Sequence, residues 1–311
     1  MQRFLVLSSL IAAAVAAISG PFLNINFPDP CIFQSGATTY AFATNSGGYN
    51  IPMATSPDGG VTWNIYPADA LPSIGGWASG GNTWAPDVIR RSDAVFVLYY
   101  AAESISQGTH CIGAATSANP VGPFTPTSEA IICATAGGGA IDPAGFVDTD
   151  GTHWVVYKVD GNNLGGGGTC GNGNEEYSTP IMLQQMESDG ITPTGSPIKI
   201  LDRGTADGPL IEAPDLVLVD GVYFLFFSSN CYNTDLYDIS YATASSVKGP
   251  YTKSSAPFKV TGNNGLTAPG GFTALPGGGG VAVFHATTDS NPLTRMLYTA
   301  KVTWSGTTAS A

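Results

Sequence analysis

A chain of 311 residues with a formal net charge of -12 is long enough to bury one large core or two ordinary ones, and it lacks the basic surplus that nucleic acid or an anionic membrane surface demands of a partner. Its 40 glycines, 22 prolines and only 11% charged residues describe many short strands joined by tight turns and argue against helical packing. No amphipathic helix can be traced after residue 20.

In chain order, Met1-Gln2-Arg3 leads into an almost unbroken, alanine-rich apolar run that ends in small residues before Gly20 and Pro21. Residues 1–19 read as a secretory signal peptide, since the run is at the short end for a membrane span of ~20 residues and no charged stop-transfer segment follows. The expectation is a secreted, extracellular monomer whose single domain occupies residues 20–311. An oxidising compartment favours pairing among Cys31, Cys111, Cys133, Cys170 and Cys231. Cys111 with Cys133 and Cys170 with Cys231 are the expected bridges, leaving Cys31 free and buried. Without a CxxC pair no thiolate zinc site is expected.

A proline preceded by Asp or Ala and followed by an apolar strand recurs at Pro30, Pro86, Pro143, Pro214 and Pro269, at intervals of roughly 55 residues with one longer. Unit two is the clearest, running Trp84–Ile89, Ala94–Tyr100, Cys111–Ser117 and then Gly122-Pro123-Phe124; unit four repeats it as Glu212–Val217, Val222–Phe227, Asp238–Thr243 and Gly249-Pro250-Tyr251. Five units of about four strands each predict an all-β fold, a five-bladed β-propeller of antiparallel blades. A β-sandwich would leave the shared dipeptide that opens each unit unexplained. The longer interval holds a glycine-rich insertion at residues 160–178, with no lysine or following helix to make it a phosphate loop; it reads as a wall of a substrate cleft tied down by Cys170.

The first strand of every propeller blade lines the central axis, so equivalent positions in different blades meet there. Asp29 and Asp142 stand just before their prolines, and Glu212 stands two before Pro214. Cleaving a glycosidic bond with inversion needs one carboxylic acid and one carboxylate, ~6.5–9.5 Å apart, and two of these three can serve. A third acidic group beside the acid would raise its pKa by like-charge repulsion. Asp87 and Asp215 each follow their proline and recur in both well-kept units, so they read as repeated structural hydrogen bonds. Trp84 takes in unit two the place of Glu212 in unit four and should face the axis, where an indole can stack on a sugar ring.

Pro28-Asp29-Pro30, Trp84-Ala85-Pro86-Asp87, Asp142-Pro143 and Glu212-Ala213-Pro214, in this order along five units, resemble glycoside hydrolase family 43 over nearly all of the chain after residue 19. The resemblance implies inverting hydrolysis of arabinose- or xylose-containing plant polysaccharide or oligosaccharide, of the arabinanase, α-L-arabinofuranosidase or β-xylosidase type. It also implies Asp29 as general base, Asp142 as pKa modulator and Glu212 as general acid. Arg295 matches a family arginine directed at the sugar. His285 reads either as a satisfied core histidine or as a cleft residue, and Tyr157, Phe227, Trp77 and Tyr232 are the aromatic candidates for sugar platforms. No cofactor is expected. Arabinan-cleaving members often open blade five with Gly-Pro-Gly-His, whose histidine helps hold an axial calcium; here Ala268-Pro269-Gly270-Gly271 has glycine instead, which counts against that ion. Two other readings stand beside the leading one: a carbohydrate-binding propeller with impaired catalysis, and a related clan that cleaves sucrose or fructans with retention, whose Asn-Asp-Pro-Asn opening is missing here.

Overall fold

The computed structural model describes residues 17–311, Pro292 apart. Strand β1 (Ile18–Phe22) comes first, followed by blade one, β2 (Cys31–Ser35), β3 (Thr38–Phe42), β4 (Met53–Ser56) and β5 (Asn64–Ile65). Blade two holds β6 (Trp84–Arg90), β7 (Phe96–Glu103), β8 (His110–Ser117) and β9 (Thr125–Pro126); blade three holds β10 (Ala140–Val147), β11 (His153–Val159), β12 (Ile181–Met186) and β13 (Pro193–Leu201). Blade four is β14 (Ile211–Val219), β15 (Val222–Ser229), β16 (Asp238–Ala244) and β17 (Thr252–Lys253). Blade five contains β18 (Gly270–Ala274), β19 (Ala282–Ser290) and β20 (Leu293–Ala300), and a hairpin of β21 (Thr303–Ser305) and β22 (Thr308–Ser310) follows.

All five sheets are four-stranded and antiparallel, and the fifth is completed by β1, which pairs Ile18 with Ala300 and Ser19 with Thr299. An outer strand from the other end of the chain ties the first blade to the last. Strand β1 thus includes Ile18 and Ser19 of the expected leader, while residues 1–16 lie outside the described residues. Among the described residues the helices are 3-10 turns, and none is long and apolar enough to cross a membrane.

The middle strands are apolar on both faces because each face packs against a different neighbour. In β7, Phe96, Leu98 and Tyr100 join blade one, whereas Val97 and Tyr99 join blade three. Five apolar clusters result, one between each adjacent pair of blades, and the last, containing Phe27, Ile32, Val283 and Leu297, closes the ring between blades five and one. Burying one such side chain is worth about 1.5–3 kcal/mol, so the interfaces rather than any single sheet hold the ring together.

The recurring proline marks a recurring irregularity. Asp29, Ala85, Asp142, Ala213 and Ala268, each directly before its proline, all have positive φ, between 40° and 54°. Proline disfavours right-handed helical backbone in the residue before it, and the ladder slips here, as between Trp84 and Asp87, Ile141 and Ala144, and Glu212 and Asp215. Since alanine adopts this backbone in three blades, the strain belongs to the architecture and not to catalysis. Asp87 accepts the Gly145 N–H at 2.7 Å and Asp215 the Ala274 N–H at 3.1 Å, each bonding to the next blade's inner strand, as their repeated position suggested.

Candidate active site

Asp29, Asp142 and Glu212 come from blades one, three and four and line a single cavity of about 420 Å³ at the axis. The position directly before proline and the one preceding it supply these side chains, with Trp84 and Ile141 as the blade-two and blade-three counterparts of Glu212 lining the same cavity.

The Asp29 carboxylate is held by one cation and one hydroxyl donor. Arg295 Nη1 donates to Oδ1 at 3.0 Å and Thr44 Oγ1 to Oδ2 at 2.7 Å, while the same Thr44 oxygen accepts the Ala85 N–H at 2.8 Å. Burial pushes the Asp29 pKa up, but the Arg295 charge and these hydrogen bonds outweigh it and hold the carboxyl below its ordinary value. Asp29 is thus an ionised acceptor suited to take a proton from water. Arg295→Met leaves burial unopposed by that charge. The acid limb of kcat/KM, which reports loss of the carboxylate as pH falls, is expected to move up by about 1–3 pH units. A pH–rate profile checks it.

Asp142 has the opposite electrostatics. Burial, followed by the like charge of Glu212, raises its pKa to about 8, against the pull of Lys158 and an Ala213 N–H that donates to Oδ2 at 2.9 Å. Glu212 itself is gripped at both oxygens, by Lys158 Nζ on Oε2 at 3.0 Å and by the Tyr237 hydroxyl on Oε1 at 2.9 Å. Asp142 therefore retains a proton in the neutral range, beside the Glu212 carboxyl.

Among the residues expected to bind substrate, Trp84 and Arg295 line the cavity. Trp84 stacks on the His110 ring with centroids 3.7 Å apart and planes 16° apart, so His110, which carried no signal in the sequence, braces the indole. Tyr232 also lines the cavity and lies under the Arg295 guanidinium, 5.0 Å from its ring centroid. The structure does not bring Phe227, Tyr157 or Trp77 to the cavity: they are buried in the clusters between blades, where long apolar strands put most of their aromatics. His285 is buried as well and is placed as a support. Its Nδ1 accepts the Asp29 N–H at 3.0 Å and its ring stacks on Tyr237, 5.9 Å between centroids. Burial and Arg295 bring its pKa down to about 3, so the ring is neutral in that contact.

Thr44, Lys158, Tyr237 and Asp160 are the site residues that the sequence reading missed. A signal existed for two of them. Lys158 pairs with Ile141 across the ladder and Thr44 bonds to Pro28, the equivalent position of blade one. In these two blades a polar residue after an otherwise apolar run stands at the cavity wall, whereas the equivalent Ser228 is buried and accepts the Gly271 N–H, and blade two has Ala101 there. Tyr237 lies in a loop and has no such mark.

Gly270 and Gly271 owe their identity to these rings. A Cβ on Gly270 would fall 2.0 Å from the Tyr237 ring, and one on Gly271 would fall 2.9 Å from His285 Nδ1. Any side chain at position 271 would crowd the His285 ring and stand on backbone with φ 61°, a conformation that residues other than glycine rarely adopt. Among the described residues no group of three or more His, Cys, Asp or Glu side chains is set to hold a metal ion.

The glycine-rich insertion forms part of the rim: Asn162 and Cys170 line the cavity, and Cys170 is bonded to Cys231 in the blade-four loop that carries Tyr232 and Asn233. Cys111 is bonded to Cys133, and Cys31 is free and buried.

The sequence pattern of Glycosyl hydrolases family 43 matches residues 18–308. The chain is 26% identical over 276 residues to extracellular endo-α-(1→5)-L-arabinanase 1 of Bacillus subtilis (strain 168), covering 83% of this chain and 79% of the relative. It is 26% identical over 270 residues to the β-D-galactofuranosidase xynD of Aspergillus niger, covering 79% and 71%. Among solved structures, a thermostable family-43 glycoside hydrolase superposes with a TM-score of 0.80 at 25% identity over 93% of this chain and 94% of that one. The arabinanase of Bacillus subtilis superposes with a TM-score of 0.72 at 24% identity, over 93% and 98%. With the match spanning the propeller and the axial carboxylates in one cavity, the chain belongs to glycosyl hydrolases family 43 and is a glycosidase that hydrolyses O-glycosidic bonds.

Proposed function

We propose that this is a secreted, inverting glycosidase acting on arabinose- or xylose-containing plant cell-wall polysaccharide, arabinan or arabinoxylan, with Asp29 as general base, Glu212 as general acid and Asp142 as the carboxyl that keeps a proton beside it. The observation that carries the reading is the contrast of two carboxyls facing one cavity: Asp29 held low, Asp142 raised to about 8. In the reaction, water gives its proton to Asp29 as its oxygen bonds to the anomeric carbon, while the leaving oxygen takes the proton that Glu212 carries. Water attack on the face opposite the leaving group inverts the anomeric centre. Trp84, braced by His110, offers a flat surface for a sugar ring, and the disulfide-bonded rim with Tyr232 shapes which chain can enter.

Relatives named for arabinan and for arabinoxylan support the substrate class, and the leader-like first residues together with a relative named as extracellular support secretion. Proton NMR during hydrolysis of arabinan, arabinoxylan and xylan oligosaccharides is the test. The expected first product has the anomeric configuration opposite to the substrate's; a product of retained configuration overturns inversion, and binding without release of reducing sugar overturns catalysis in favour of a sugar-binding propeller.

A further inference from the structure

Lys158 is the buried cation of the site, with a side chain 1% exposed in a strand that is otherwise apolar, Trp154-Val155-Val156-Tyr157. Its ammonium is 3.0 Å from Glu212 Oε2 and 3.0 Å from Asp160 Oδ1, so two carboxylates on different elements share it. Burial opposes the charge, but Glu212, Asp160 and Asp142 outweigh burial and keep the lysine protonated, above its ordinary range. Resting on Glu212 as the general acid, we propose that Lys158, anchored by Asp160, is a positioning residue that aims the Glu212 carboxyl and sets the pH at which the Asp142–Glu212 pair gives up its catalytic proton.

The geometry explains why a lysine stands there. Tyr237 fixes one oxygen of Glu212 and Lys158 the other, so the carboxyl plane is defined from two sides and cannot turn away from the cavity. The cation also lowers the pair's proton affinity, which burial and like charge alone would raise until the proton could not leave. Asp160 limits how far this goes by sharing the ammonium with Glu212. The charged and titratable groups facing this set are Asp142 from β10, Tyr237 from the blade-four loop, His110 from β8, which feels the Asp160 charge, and Asp29 from blade one. Among them Lys158 is the group that brings positive charge to Glu212.

The test compares Lys158→Met, Lys158→Arg and Asp160→Asn with the unaltered protein, reading the pH profile of kcat/KM on an oligosaccharide and on an aryl glycoside with a good leaving group. Removing the cation raises the pair's proton affinity. Lys158→Met is expected to move the alkaline limb up by about 1–3 pH units and to lose far more rate on the oligosaccharide than on the activated substrate. Lys158→Arg should keep the limb, and Asp160→Asn should move it down, because a negative charge has left the neighbourhood. Opposite shifts from the two partners are not produced by a merely structural pair. A uniform rate loss with unmoved limbs in Lys158→Met and Asp160→Asn overturns the proposal; if Lys158→Met does not fold, an Asp160→Asn limb that stays in place does so alone. Glu212→Gln, assayed in parallel, separates the two levels: if it abolishes oligosaccharide hydrolysis while the limbs of the Lys158 and Asp160 variants do not move, the function stands and the role of Lys158 falls. Normal hydrolysis by Glu212→Gln overturns both.

Discussion

Glu212→Gln is expected to lower kcat on oligosaccharide by about 100- to 10,000-fold, the range for losing a general acid, while leaving the fold intact. The amide fits the existing contacts: its oxygen can accept from Lys158 Nζ, now 3.0 Å from Oε2, and its NH2 can donate to the Tyr237 hydroxyl, which is able to accept as well as donate. What is lost is the proton for the leaving oxygen, so the defect should shrink on an aryl glycoside whose leaving group departs unprotonated. Steady-state kinetics on the two substrates check this; an equal loss on both would remove Glu212 from the acid role.

Asp29→Asn is expected to cost a similar factor, about 100- to 10,000-fold, but equally on both substrates, because activating water is needed whatever leaves. Here too the neighbourhood can adapt. Arg295 still finds an oxygen acceptor, and Thr44 Oγ1, which already takes the Ala85 N–H, can accept from the new NH2. Far-ultraviolet circular dichroism and thermal melts near those of the unaltered chain would show that chemistry and not folding has been removed. A variant that retained oligosaccharide hydrolysis would displace Asp29 from the base role.

The contrast between these variants comes from where their neighbours lie. The Arg295–Asp29 contact joins residues 266 apart, and the Asp29 N–H reaches His285 across 256 positions. A sequence repeat can align the residues before Pro30, Pro86, Pro143, Pro214 and Pro269, because the slipped ladder of each blade needs the same local pattern. It does not report which side chains of other blades come within hydrogen-bond distance. This is why Phe227 and Tyr157 looked like sugar platforms: an apolar strand has the same pattern whether its aromatic faces a cleft or a neighbouring blade, and here both faces are covered. Trp84 was legible because it stands at the slip itself, at the position of Glu212. His285 carried an ambiguous signal, and only its burial against Asp29 and Tyr237 makes it a support.

The sequence by itself determined the five-blade count and the family and put three carboxylates at equivalent blade entries, since these are written in a spacing that the fold must repeat, whereas Cys111–Cys133 and Cys170–Cys231 were expected pairings that the structure then showed. Only the tertiary structure decided the electrostatics. It shows Asp29 held low by Arg295 and Thr44, places the raised pKa on Asp142, and brings Lys158 and Tyr237 to Glu212, because pKa values depend on charges and burial supplied by other blades, and closing the ring is what brings those blades together.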